Sequence, residues 1–484
     1  LQRHAAETPA LWVRRGDLDE EGVLGVVDVR SLVELPNGEI WAGTNDRGVA
    51  VLDQQLRVLA AFRPGVQGYP AGRVGGVTRS QDGQVWAGAG DKVAQFDPAA
   101  RRLLQVHSLG RGTVRTLLGL REGAVLAGTA DGLFRWRPGA AGFERLTLAG
   151  AKPLRGDINA LAEDGEGRVW VGGERGLYSL APGASELEPA ALAAGETLGD
   201  DAVLGLLVDA RQQLWLDSSA GLRRLLRSPQ GLQVEMVSER IGQGGKSFGA
   251  NLMQDNRGRI WTHRGVFDPE TGQYDELTSA DGVDVGTAWF RSYTMLRDGR
   301  MLFGGSRGLL VLDPHRFVPW RYQPPVVATK LRINGQAAPL SRLKPQLRLQ
   351  PGERNFTLEV AALDLSLPGR NRYRHRLEGF DADWIPSDAN ERQLNYGGLA
   401  PGRYRLLVQG SNRNGHWSPK LLELEIEQLP AWWQTWWARA FGLFGALAVL
   451  SAAVQLRTGL LRRRQAELEA RVAERTLALE TLSA

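Results

Sequence analysis

The sequence predicts an all-β protein with a helical tail: a seven-bladed β-propeller, an immunoglobulin-like β-sandwich, then a transmembrane α-helix and a coiled coil. Three observations predict it. Sixty glycines in 484 residues, with no triplet period, demand many tight turns. One hairpin motif recurs seven times across the first two thirds of the chain. One uncharged run near the C-terminus has tryptophans on one side and arginines on the other.

The hairpin motif is a short apolar strand, an acidic or polar turn with Gly, then an aromatic, a small residue and Gly. Its clearest copies are LPNGEIWAGT at Trp41, SQDGQVWAGA at Trp86 and EDGEGRVWVGG at Trp170, with weaker ones at Leu126, Trp215, Trp261 and Phe303. The anchors are spaced by 45, 40, 44, 45, 46 and 42 residues. Repeats of this length holding several short strands are the signature of a propeller, with one anchor per blade. Gly supplies the positive φ of each turn, and the aromatic that follows packs between neighbouring blades, because a single blade cannot bury both faces. The segment Leu11–Arg15 is expected to close the ring as a strand added to the last blade. The propeller is assigned residues 1–320.

The Pro324–Pro325 pair marks a linker, and residues 321–429 carry alternating runs that read as strands. These are Val326–Ile333, Phe356–Ala362, Tyr373–Leu377, Gln393–Tyr396, Tyr404–Gln409 and Leu421–Ile426. Six or seven short strands in this length predict the sandwich.

Residues 430–457 hold the membrane candidate. Ala440 to Leu456 is uncharged, about 25 Å of helix at 1.5 Å per residue, against a hydrocarbon core of ~30 Å. Trp436 and Trp437 extend the span, and Arg439 lies near the edge where it can snorkel. Arg457, Arg462, Arg463 and Arg464 follow, placing that side in the cytoplasm and the preceding domains outside, residues 1–430 in the periplasm. In residues 458–484, Leu461, Leu468, Arg475 and Leu482 with Gln465, Val472 and Leu479 form an a/d seam, imperfect at Gln465 and Arg475.

These motifs resemble a known arrangement. The repeat is similar to the two-component regulator propeller, in which D-x-x-G-x-[LIV]-W-[IV]-G-T is followed by Gly-Leu. The likeness covers about residues 20–318, with the aromatic lost at Leu126 and the Gly of W-x-G replaced by Asp217 and His263. Tyr373, Gly379, Trp384, Tyr396, Leu399, Gly402, Tyr404, Asn412, Gly415 and Trp417 match the Y_Y_Y domain that follows such propellers, with His375 in place of one tyrosine. The terminal V-x-E-R-T-x-x-L resembles the connector that precedes a GGDEF diguanylate cyclase or a histidine kinase. The resemblance implies the periplasmic sensing and transmembrane relay region of a bacterial signalling receptor in the inner membrane. It implies an output domain beyond this chain, a diguanylate cyclase favoured and a histidine kinase next, and a homodimer through the coiled coil. A membrane-anchored propeller enzyme acting on polysaccharide and an envelope protein-interaction scaffold are the alternatives.

Composition narrows the chemistry. The net charge of +5 is spread along the chain apart from the Arg cluster after the apolar run, which argues against a nucleic-acid partner. Cysteine is absent, excluding disulfides and thiolate chemistry. Leu1 to Ala10 has no apolar core, so any export signal is expected upstream. The six histidines (His4, His107, His263, His315, His375, His416) show no metal-ligand spacing, and neither a phosphate loop nor a nucleophile elbow is present. Carboxylate pairs such as Asp200–Asp201 and Asp381/Asp383 read as turn residues. No catalytic residue, metal or cofactor is therefore expected. The remaining candidate is the mouth of the propeller channel, where inner strands begin. Counting back from the anchors places Arg30, Arg73, Arg115, Asn159, Asp201, Asn251 and Arg291 there, a set suited to an anionic or polyhydroxylated small molecule such as an oligosaccharide.

Overall fold

The computed structural model describes residues 10–15, 28–199 and 201–482, with side chains to Thr476. Residues 1–9 with His4, the start of the repeat near residue 20, Asp200, and the side chains of Leu479 and Leu482 lie outside the described residues. The chain divides into two compact units after Trp320.

The first unit is a propeller-like succession of antiparallel sheets. The first sheet orders Val29–Glu34, Ile40–Thr44, Val49–Leu52 and Val58–Phe62 as a meander. The second, third, fifth and sixth sheets repeat it, starting from Val74–Arg79, Val114–Gly119, Val203–Val208 and Met253–Gln254. The fourth, starting from Ile158–Glu163, gains a hairpin of Thr147–Leu148 and Lys152–Pro153 at its outer edge. The seventh takes only three strands from the end of the unit, Ala288–Met295, Met301–Gly305 and Gly308–Leu312. Its fourth is Leu11–Arg14, antiparallel to Gly308–Leu312 with Leu11 opposite Leu312. The strand expected to close the ring does so.

Apolar cores lie between consecutive sheets rather than within them. Trp41 packs with Val74, Val85 and Phe96 of the second sheet, Trp86 with Val114 and Val125 of the third, and Trp215 with Ile260 and Phe267 of the sixth. Leu302 packs with Val29, Ile40 and Leu52 of the first, joining the last sheet to the first. This corrects the seventh anchor. Strand side chains alternate between faces, and Phe303 points back to the sixth sheet, in the core of Trp261. Leu302 faces forward and is the counterpart of the tryptophans.

The turn before each anchor has the chemistry the repeat predicts. Gly38, Gly83, Gly123, Gly167, Gly258 and Gly299 all have φ between 79° and 91°, and Gln212 holds the equivalent place at 60°. The residue six before the anchor then divides the sheets. Asp164, Asp209 and Asp255 each accept two turn amides on Oδ1. On Oδ2 they accept the indole N–H of Trp170 (3.1 Å), Trp215 (2.8 Å) and Trp261 (2.8 Å). Ser80 Oγ accepts from Trp86 at 2.9 Å. Leu35 stands at that place before Trp41, whose buried N–H has no partner among the described residues.

The second unit begins with a two-sheet sandwich. One sheet orders Gln336–Ala338, Val326–Ile333, Asn355–Ala362 and Gln393–Gly397; the other orders Leu347–Leu349, Leu422–Gln428, Gly402–Gly410, Tyr373–Glu378 and Ile385–Ser387. The tyrosines are structural. Tyr373 Oη accepts the Ala362 amide (3.0 Å), while Tyr396 and Tyr404 donate to Asp381 (2.7 Å) and the Ala400 carbonyl (3.0 Å). His375 sets its ring edge-on to Tyr396. Arg374 stacks between Trp384 and Trp417, 5.0 and 4.8 Å from the ring centres. One helix, Trp436–Leu482, ends the chain. Within it, Trp436–Thr476 is long and apolar enough to cross a membrane, and its apolar window buries nothing.

Candidate functional site

The innermost strands of the first five sheets share one defect, which builds the site. Each carries one unpaired extra residue opposite the second strand, a β-bulge. The bulged residues are Arg30, Gly75, Arg115, Asn159 and Leu204. Counting from the anchors, Ala250 and Arg291 hold the same place in the sixth and seventh sheets. A bulge re-aims a side chain out of the alternation and is common beside functional sites. In the seventh sheet it is larger. Ala288 pairs with Gly305 and Tyr293 with Phe303, so the first strand holds three more residues than its neighbour, against one elsewhere. Trp289, Phe290 and Arg291 occupy this excursion, with Arg291 at φ 70°.

The sequence-predicted residues are partly brought together. Arg30, Arg73, Arg115 and Arg291 line one cavity of about 360 Å³, together with Trp289 and Phe290. Arg73 is not at the bulge but two residues before it. Gly75 takes the bulge in that sheet, where an added Cβ would collide with the Val114 carbonyl. Asn159 is the bulge residue of the fourth sheet and binds Arg291. Asn251 lies one residue past the bulge and is buried; its amide donates to the Trp289 carbonyl and its oxygen accepts the Arg291 N–H, both at 2.7 Å. Asp201 does not line the cavity. It lies three residues before Leu204 and is engaged by Arg223 (2.8 Å) and Ser219 (3.1 Å).

Electrostatics at the cavity are unbalanced. Asp28 approaches Arg30 at 3.0 Å and Asp157 approaches Arg115 at 3.2 Å. Arg30 also lies over the Trp289 ring, 3.4 Å from its centre. The Arg73 guanidinium makes no hydrogen bond or ion pair among the described residues, while the Arg73 carbonyl accepts the Gly90 N–H at 3.3 Å. Arg291 Nη1 reaches the Asn159 carbonyl (3.3 Å) and Oδ1 (3.2 Å) and has no carboxylate partner among the described residues. Burial, then the like charges of Arg115 and Arg73, pushes the Arg291 guanidinium down to about 10; burial and the charges of Arg115 and Arg30 push Arg73 down as well. The indole N–H of Trp289 is buried without a partner among the described residues. Every charged side chain lining the cavity is thus a donor. Among the described residues no cluster of His, Asp or Glu is placed to hold a metal.

Sequence reasoning missed Trp289, Phe290, Asp28, Asp157 and Asp217. Asp217 is fully buried where the repeat has Gly, and its carboxylate accepts the amides of Phe248, Gly249 and Ala250 and the Ser247 hydroxyl. That fixes the turn ending at Ala250, hence Asn251, hence the Arg291 backbone. The signal was the broken W-x-G itself. Below the mouth, a second cavity of about 570 Å³ runs between the innermost strands, and Arg291 lines both.

Comparison with known proteins agrees with this architecture. The family model of the Y_Y_Y domain matches residues 364–427, and that of the Two component regulator propeller matches residues 154–175. A curated relative, Histidine kinase P4 of Formosa agariphila, is 27% identical over 164 residues, which is 32% of this chain and 12% of the relative. A solved structure named as the extracellular domain of the hybrid two component system BT3049 from B. thetaiotaomicron superposes with a TM-score of 0.68. It is 20% identical and covers 87% of this chain and 58% of its own. The corresponding domain of BT4673 from the same organism gives 0.46 at 21% identity, over 87% of this chain and 59% of its own. The chain spans well under two thirds of each of these relatives.

Proposed function

We propose that this chain is the extracytoplasmic sensing and membrane-crossing region of a two-component receptor. The first unit is a seven-bladed propeller that perceives a small-molecule signal at its channel mouth, and the sandwich relays it. The C-terminal helix crosses the inner membrane once, leaving residues 1–430 in the periplasm, and continues as a coiled coil that pairs two copies. One observation carries the reading: the apolar stretch of that helix buries nothing, while the apolar strands before it are absorbed into cores. Such a surface in water would aggregate, and a bilayer covers it. The exposed Trp432, Trp433, Trp436 and Trp437 on one side and Arg462–Arg464 on the other fit the two interfaces.

A histidine kinase is the output that the named relatives favour. A diguanylate cyclase rests on the wording of the connector alone. Relay requires the signal to bind two arrangements of the dimer unequally. Alkaline phosphatase fused after Gln428 in bacterial cells should be active, and fused after Thr476 inactive. Equal activity at both positions would remove the membrane-crossing reading.

A further inference from the structure

The mouth cavity specifies a ligand class, and the contact that ligand must displace. This rests on the sensor reading only in taking the mouth as the place where the signal arrives. Four guanidiniums line a space of about 360 Å³, and two carboxylates answer them. Among the described residues the Trp289 N–H is unanswered, and the Arg73 guanidinium makes no hydrogen bond or ion pair. A cluster of like charges beside unused donors is costly unless acceptors enter. The volume lies at the low end for small-molecule sites and suits one or two rings. Phe290, 42% exposed, offers a ring face beside the charges.

Arg291 adds the second part. It comes from the seventh sheet and Asn159 from the fourth, so their hydrogen bonds form a bar across the channel between the two cavities. Both acceptors of that bar are neutral. A carboxylate or sulfate group brings opposite charge and can accept two guanidinium N–H groups in parallel, so it outcompetes a neutral acceptor. We propose that the mouth binds a small ring-bearing oxyanion, a carboxylated or sulfated molecule, which takes the Arg291 guanidinium from Asn159 and so opens the bar between the fourth and seventh sheets. Arg73 and Arg115 hold the rest of the anion, and Asp217 keeps the Arg291 backbone in place through Asn251.

The test is titration calorimetry on the whole chain in detergent micelles, with digalacturonate, its methyl ester and inorganic sulfate as probes. The acid should bind and the ester should not, and Arg73→Ala should weaken binding at least tenfold. Asn159→Ala removes the side-chain acceptor and leaves only the main-chain carbonyl as competitor, and should tighten binding about threefold to tenfold. Asn159→Asp gives Arg291 a permanent carboxylate and should weaken it at least tenfold. Sulfate binding as tightly as digalacturonate, with the same variant pattern, would overturn the ring-bearing part of the ligand class and leave the oxyanion and the bar. Equal binding of acid and ester would overturn the ligand class while leaving the mouth a sensing site. Binding of neither anion would overturn the assignment. Anion binding unchanged or weakened by Asn159→Ala would overturn the bar. The phosphatase fusions are independent of all these outcomes.

Discussion

Two arcs of the ring do different work. In the fourth to sixth sheets each anchoring tryptophan is bonded to a buried aspartate that also closes its turn. In the seventh, first, second and third sheets that lock is absent or reduced to Ser80, and these sheets supply all four arginines of the mouth. On the first arc the tryptophan N–H groups are satisfied and fix the packing, and Arg223 Nε and His263 Nδ1 are the buried side-chain atoms left without a hydrogen bond among the described residues. The second arc keeps more such orphans, the N–H groups of Trp41 and Trp289 among them. Buried polar networks rigidify when complete, and a buried donor left unmet is where an entering acceptor would be bonded.

The largest effect that would break this contrast is at Asp255. Asp255→Ala strands the Trp261 N–H, two turn amides and the buried Arg259 together, and should cost about 3–5 kcal/mol. Arg73→Ala on the other arc should stay within ~0.5 kcal/mol. Urea unfolding of the ring, followed by hydrogen exchange, separates the two, and similar losses would refute the division.

The next effect compares the anchors. Trp215→Phe leaves an Asp209 oxygen without its donor, whereas Trp41→Phe deletes a donor that had no acceptor. The first should cost about 1–2 kcal/mol more than the second in the same experiment.

The last contrast depends on pH. His263, facing Phe303 across the join of the two arcs, is held down to about 4 by burial and then by the charge of Arg264. The unfolded chain takes up this proton near 6.5 and the folded chain only near 4. The contribution of His263 to stability is therefore complete above pH 6.5 and is lost as pH falls toward 4. His263→Phe should flatten unfolding measured between these values.

The strands were legible because their signals are local. A Trp after a Gly turn and alternation along a strand can be read without knowing the fold, and the six longer sandwich strands recur nearly as expected. Gln336–Ala338, Leu347–Leu349 and Ile385–Ser387 were not seen; three residues give too little alternation, and Leu347–Leu349 pairs in parallel with Leu422–Gln428 from far along the chain. Phe303 displaced Leu302 as an anchor because both are apolar and only packing tells the faces apart. The mouth was half legible for a related reason. Counting back along a strand finds its start, but a bulge shifts which residue turns inward. Arg30, Arg115, Asn159 and Arg291 fell on it, Arg73 reached the cavity from two residues away, and Asp201 fell short. Trp289 and Phe290 lie in the excursion peculiar to the seventh sheet, which a repeat cannot announce.

The pairing of Leu11–Arg14 with Gly308–Leu312 carries a consequence for biosynthesis. The first of these strands leaves the ribosome early and its partner only after the rest of the ring. At roughly 5–20 residues per second, the early strand waits on the order of fifteen seconds to a minute for its mate. Throughout that wait its apolar Leu11 and unpaired edge are open to foreign strands. A chaperone that holds this strand through the wait would lower that risk, and loss of Leu11–Arg14 after assembly would leave the Gly308–Leu312 edge unpaired.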